Sequence, residues 1–192
     1  SSGRPQPPFT TSSLQQAASS QLYFAARRTM RIAQQLYEGI EIPGEGQVGL
    51  ITYMRTDSRH LSADSVTAAR SFIGEQHGTE YLPEKPNFYT SGKRAQEAHE
   101  AIRPTDPSRR PEDLKGCLNE EQFKLYNMIW KRFLACQMTP SRWNVTEMEI
   151  QIATSSATAT YRATGRSLAF DGYLRVMGLP KDGDPILPEL AE

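Results

Sequence analysis

The chain has 192 residues, 38% of them hydrophobic and 23% charged, with 22 Lys and Arg against 22 Asp and Glu. That length holds one or two domains with a real core, and zero net charge excludes the global positive field of a strongly basic nucleic-acid binder, so a polyanion site must come from local clustering. No run approaches the ~20 apolar residues of a membrane helix; the amino end lacks a signal-peptide core, and Cys117 and Cys136 form no metal or redox spacing, which points to a soluble cytoplasmic protein with reduced thiols.

Residues 1–12 open with "RPQPPF", too rich in proline to donate backbone hydrogen bonds, and predict an extended linker. Ser12 or Ser13 then caps a first helix, with Gln15 or Gln16 three residues on and Leu14, Ala17, Ala18 and Leu22 as its apolar stripe. A second helix over about 25–38 puts Ala26, Met30, Ala33 and Leu36 or Tyr37 on one face and Arg27, Arg28 and Arg31 on the other, ending near Gly39. After the glycine-rich turn "PGEGQVG", the residues Leu50, Ile51 and Tyr53 predict a short strand or extended piece, and Ser62 caps a third helix stopped at Gly78.

Residues 79–115 are proline-rich and irregular, with a short helix through "AQEAHEAI" that must end at Arg103 because Pro104 follows. Asn119 caps the strongest helix, "EEQFKLYNMIWKRFLACQM". Beyond Pro140 the period drops to two: "VTEMEIQIATS" and "TATYRATG" alternate, and "LAFDGYLRV" has a turn at Asp171-Gly172 between two short apolar runs. The pattern predicts an α+β fold, a mostly helical domain over residues 13–139 followed by β-rich segments over 140–192.

Three features could carry chemistry. Tyr53 and Arg55 fall on one face of an extended segment, and an arginine fork can stabilise both a phenolate and the charge on a phosphoryl transition state. On spacing alone Tyr53 is equally a half-buried strand tyrosine, and Thr56-Asp57-Ser58 a capped bend. In a helical segment His99 and Arg103 would share a face as a phosphate clamp, against the plainer reading of a surface histidine among helical charge pairs. Residues 1–37 carry Arg4, Arg27, Arg28 and Arg31 and no acid, a patch that is either a solvated face or a set of phosphate contacts. No P-loop, dinucleotide fingerprint, nucleophile elbow or HExxH is present.

Taken in order, "PPFTTSSLQQAAS", "GLITYMRTDS" and "QEAHEAIRPTD" closely resemble bacterial DNA topoisomerase I, the type IA family, and "LYNMIWKRFLACQMTP" and "GRSLAFDGYLRVM" look like its continuation. The resemblance implies that Tyr53 attacks a DNA phosphodiester to form a 5′-phosphotyrosine, with Arg55 and His99 positioning and stabilising the scissile phosphate. It implies strand passage and relaxation of negative supercoils without ATP, chiefly on single-stranded regions of DNA. Arg27, Arg28, Arg31, Thr52, Thr56, Asp57, Ser58 and Arg103 are the further candidate DNA contacts.

In that family a TOPRIM domain binds Mg²⁺ through a D-x-D-x-E triad, which these 192 residues do not contain. The chain is therefore expected to be an internal fragment, with no metal of its own and no relaxation activity alone. Residues 13–139 would be the helical gate bearing the tyrosine, and residues 1–12 and 140–192 pieces of the arch or hinge domain.

Overall fold

A computed structural model describes residues 1–90, 99–153 and 158–179. The first helix, α1 (Thr11–Leu22), begins earlier than the serine pattern predicts, because Thr10 is its N-cap. The Thr10 hydroxyl accepts from the Ser13 N–H while the Ser13 hydroxyl accepts from the Thr10 N–H, closing a reciprocal capping box one turn upstream of the glutamines. Tyr23 ends the helix in the left-handed region, at φ 58°.

Helix α2 (Ala26–Glu38) forms over the expected span but buries Thr29, Ile32, Ala33 and Leu36: Ala33 and Leu36 keep their expected places, whereas Ala26 is exposed and Met30 only half-buried, on the side of Arg27 and Arg31. Of the two alternatives for its last core position, Leu36 is buried and Tyr37 is exposed. The following glycine-rich turn joins a small hairpin, β2 (Ile40–Ile42) paired with β3 (Gly46–Val48), in an antiparallel register that matches Ile40 to Val48.

Of the two forms open to residues 50–53, the structure takes the extended piece and not a laddered strand. The segment is extended, but its pairing is limited to isolated bridges, Ile51 with Pro104 and Phe9 with Ile102. Proline has no N–H to extend a ladder, so only the Thr52 N–H to Arg103 carbonyl bond (2.9 Å) and the Thr105 N–H to Leu50 carbonyl bond (3.0 Å) flank it. Period two nonetheless survives: Met54, Thr56 and Ser58 are buried while Tyr53, Arg55 and Asp57 are exposed.

Ser62 caps α3 (Ala63–His77), its side chain accepting from the Ser65 N–H, and Gly78 follows at φ 106°. The helix predicted to run from Ala95 to Arg103 falls partly on residues 91–98, outside the described residues; from His99 to Arg103 the chain is extended rather than helical. Backbone bonds from Ala101 to His60 (2.8 Å) and from Ile102 to Phe9 (2.8 Å) hold it there.

Helix α4 (Glu120–Cys136), capped by Asn119, is the centre of the core: Leu125, Tyr126, Ile129, Phe133 and Leu134 are at most 1% exposed. Its two largest polar aromatics reach backbone acceptors, Tyr126 Oη donating to the Arg109 carbonyl (2.8 Å) and Trp130 Nε1 to that of Pro107 (2.9 Å). That satisfies groups which would otherwise be costly to bury.

After Pro140 come β4 (Ser141–Ala153) and β5 (Thr158–Phe170), paired antiparallel from Arg142 with Phe170 to Ala153 with Thr158. The two-residue strand β1 (Ser2–Gly3) adds to the other edge of β4. The Asp171-Gly172 turn forms as expected, but it leads into a single helical turn, α5 (Leu174–Met177), rather than a second apolar strand. The architecture is α+β, with the helices gathered around one core and the long strands set apart from it.

Candidate active site

Tyr53 leaves the extended segment pointing outward, its side chain 43% exposed, while its neighbours Thr52 and Met54 are held beneath it. The Thr52 hydroxyl donates to the Ala101 carbonyl (2.7 Å) and accepts from the Arg103 N–H (3.0 Å), so it fixes backbone rather than facing a ligand. That link also brings in His99: its ring lies 6.3 Å from the Tyr53 ring, centroid to centroid, at 62°. On the other side stands Tyr37, 5.4 Å away at 65°. Tyr37 enters the sequence pattern only as an alternative core residue; its place immediately before the helix-ending Glu38-Gly39 is the one signal that could have set it apart.

Arg55 turns the same way as Tyr53 along the chain but meets a different neighbour. It lines a surface groove of about 360 Å³ together with Arg27 and Arg31 of α2, Gln15 of α1, Ala26, Met30 and Gln34. Three guanidinium groups and two carboxamides, with no carboxylate in the lining, make an electropositive and donor-rich channel of the kind that takes phosphate oxygens. Gln34 was not singled out by the sequence, and Gln15 only as a capping partner. Arg28 faces elsewhere: it pairs with Glu121, which is also 3.7 Å from Arg31, and it stacks over Phe24 at 4.6 Å.

The rest of "RTDSRH" builds the bend that carries the tyrosine. The Thr56 hydroxyl accepts from the Ser58 N–H (3.0 Å), and the Ser58 hydroxyl from the His60 N–H (3.1 Å). Both side chains are buried, and Asp57 alone of the three faces outward. Thr11 ties the bend to α1, its hydroxyl donating to the Met54 carbonyl (2.8 Å) and accepting from the Thr56 N–H (2.8 Å).

Arg103 does not share a helical face with His99. Its Nε donates to Glu100 at 2.6 Å and its Nη1 to the Pro104 carbonyl at 3.0 Å, leaving the side chain 14% exposed. Burial pushes the Glu100 carboxyl up, but hydrogen bonds from Arg103 and Ser62 and the nearby Arg103 and His60 charges outweigh it and hold the group below the usual carboxylate range. The pair is a closed ionic lock under the loop.

A family model for DNA topoisomerase matches residues 1–192. The chain belongs to the bacterial DNA topoisomerase I family. It is 48% identical over 180 residues to a DNA topoisomerase 1 of Xylella fastidiosa, covering 93% of this chain and 22% of that protein. To a DNA topoisomerase 1 of Pseudomonas aeruginosa it is 46% identical over 195 residues, covering 100% of this chain and 21% of the relative. The chain thus spans about a fifth of the length of these topoisomerases.

Among solved structures, full-length topoisomerase I from Thermotoga maritima superposes with a TM-score of 0.81 at 39% identity, over 100% of this chain and 30% of that one. At that identity and score the α+β architecture of the topoisomerase is the architecture of this segment. No helix among the described residues is long and apolar enough to cross a membrane.

The resemblance implies magnesium for the full enzyme. Among the described residues no group of three or more His, Cys, Asp or Glu side chains is placed to hold a metal ion. Asp182 and Asp184 have D-x-D spacing, but Ile186 stands where the triad needs a glutamate, and these residues lie outside the described ones. The described residues therefore offer no donor set that fits the ion.

Proposed function

We propose that Tyr53 is the DNA-linked nucleophile of a type IA topoisomerase. Its Oη attacks the phosphorus of a single-stranded segment; the new Oη–P bond forms as the P–O3′ bond breaks, the phenol loses its proton and the departing 3′-oxygen gains one. The 5′-phosphotyrosine conserves the bond, so religation runs the same exchange backwards and needs no ATP. Arg55 supplies positive charge, and Arg55 and His99 both supply hydrogen-bond donors, to the phosphoryl oxygens where charge develops.

Residues 13–139 move as the gate, pieces 1–12 and 140–192 belong to the arch or hinge, and negative supercoils relax as the other strand passes. A TOPRIM domain outside this chain binds Mg²⁺, so the 192 residues alone do not relax plasmid DNA. The setting is the bacterial cytoplasm, at the nucleoid.

What supports this reading is one juxtaposition: a half-exposed tyrosine in ring contact with His99, beside a groove lined by Arg55, Arg27 and Arg31. The test uses the intact protein with magnesium and a single-stranded oligonucleotide labelled at one end or the other, quenched with denaturant. The 3′-end label should remain covalently on protein and the 5′-end label should be released with a free 3′-hydroxyl. Tyr53→Phe should abolish the adduct; a persistent adduct in that variant refutes the assignment.

The arginine groove also favours a second reading, a single-strand binding module without chemistry. In that case affinity falls steeply with salt, Tyr53→Phe binds as well as the parent, and no adduct forms with either label.

A further inference from the structure

Resting on that reading, we propose that Tyr37 is a positioning residue for the nucleophile: its ring edge fixes the direction in which the Tyr53 hydroxyl points. An exposed side chain on an extended segment has rotamer freedom that an attacking oxygen cannot keep, since the reacting atoms must be held in a near-attack arrangement. Among the described residues the Tyr53 hydroxyl has no hydrogen-bond partner, so its direction is set by what touches the ring. Tyr37 at 5.4 Å is the nearer of the two rings, in the edge-to-face arrangement that aromatic pairs prefer.

His99 cannot do this alone. Its segment is joined to the Tyr53 strand through a few backbone bonds around Pro104, and the imidazole is needed for the phosphate. Tyr37 stands on a firmer base. The Leu50 N–H donates to the Leu36 carbonyl at 2.8 Å, locking the start of the tyrosine segment to the last turn of α2. A Cβ at Gly49 would come within 2.8 Å of the Tyr37 carbonyl oxygen, so glycine there lets the two backbones touch. Helix end, backbone bond and glycine contact together hold Tyr37 against residues 49–50, from which the chain runs directly to Tyr53. Tyr37 is itself 42% exposed, so burial in the core does not account for an aromatic side chain at this place.

The experiment is single-turnover cleavage by the full-length enzyme at saturating concentration, scored as covalent adduct on a 3′-labelled oligonucleotide, with affinity measured separately. Tyr37→Ala and Tyr37→Leu, the second keeping apolar bulk on the helix end, should each lower the cleavage rate about 10-fold, with oligonucleotide affinity changed by less than about 2-fold, while Tyr37→Phe stays within about 2-fold of the parent.

Three results would overturn the proposal. In the first, Ala and Leu both cleave at the parental rate. In the second, the loss falls wholly on affinity, which makes Tyr37 a stacking platform for a base. In the third, Phe loses as much as Ala, which assigns the role to the hydroxyl. Tyr53→Phe run alongside separates this from the reading beneath it, because an adduct surviving that change sinks the nucleophile assignment itself.

Discussion

Thr11→Val exchanges one hydroxyl for a methyl at nearly constant volume and tests whether α1 holds the bend that presents Tyr53. The hydroxyl serves the Met54 carbonyl and the Thr56 N–H, both at 2.8 Å, in a segment whose side chains Met54 and Thr56 are 4% and 7% exposed. A buried donor or acceptor left unpaired costs about 1–3 kcal/mol, and with part of the site open to water the two together should cost about 2–3 kcal/mol. For a chain of this size each kcal/mol lowers Tm by roughly 2–4 °C, so the variant should melt about 4–12 °C lower. Thr11→Ser keeps the hydroxyl and should lose less than about 1 kcal/mol, the value of a methyl group. Thermal unfolding followed by near-UV circular dichroism reads both, and amide exchange at Thr56 should accelerate in the valine variant alone. Equal melting of the Val and Ser variants would refute the reasoning, because the hydroxyl would then be holding nothing.

Other outcomes are expected from the same geometry. Replacing Arg27 and Arg31 together by alanine should weaken single-strand binding and reduce the slope of log affinity against log salt by up to about 1.4, since each phosphate contact on a single strand contributes roughly 0.7; an unchanged slope removes these two residues from the interface. Burial, followed by the Arg175 charge, lowers the His77 pKa below its ordinary value, and Nε2 is buried with no hydrogen-bond partner among the described residues. A depressed pKa means that the unfolded state takes the proton first, so His77 favours the fold above its ordinary pKa and this contribution is lost as pH falls through it. Melting temperature should therefore drop from pH 7 to pH 5, and less so in His77→Gln; parallel profiles would exclude His77 as the cause. Burial also pushes the Cys136 thiol up to about 12, so a neutral alkylating agent should leave Cys136 unmodified in the native chain and label it on unfolding.

The helices were legible because their signals are local. Ser62 before α3, Asn119 before α4 and glycines after α2 and α3 act within a few residues, and the structure uses all of them. Helix α1 began early because Ser13 serves its cap as the N3 partner and not as the cap itself, a distinction that composition does not make. The sequence left the segment around Tyr53 between a strand and an extended piece, and the choice falls on the second because its partner lies some 50 residues away and contains Pro104, which breaks the ladder.

At the site, the shared direction of Tyr53 and Arg55 followed from period two alone. The approach of His99 did not: it depends on Ala101, Ile102 and Arg103 pairing with His60, Phe9 and Thr52, contacts with no local trace in the sequence. The helical premise behind the His99 and Arg103 clamp fails for the same reason, since those long-range bonds draw the segment out straight. Tyr37 was hidden by its neighbour, because a helical stripe cannot say which of two adjacent apolar residues takes the core.

The two long strands after Pro140 have a mechanical consequence. Their outer residues Val145, Ile150, Ile152 and Tyr161 are 46–59% exposed, whereas the base is clamped by Arg142 over Phe170 at 5.1 Å, Arg166 over Trp143 at 4.5 Å, and two backbone bonds between Ser1 and Trp143. A pair of 13-residue strands extends about 40 Å at ~3.3 Å per residue. A sideways load on the described part of this hairpin therefore meets the helical body at its base, where the strands join the chain at Pro140 and Asp171 and where the two cation–aromatic stacks and the Ser1 bonds lie.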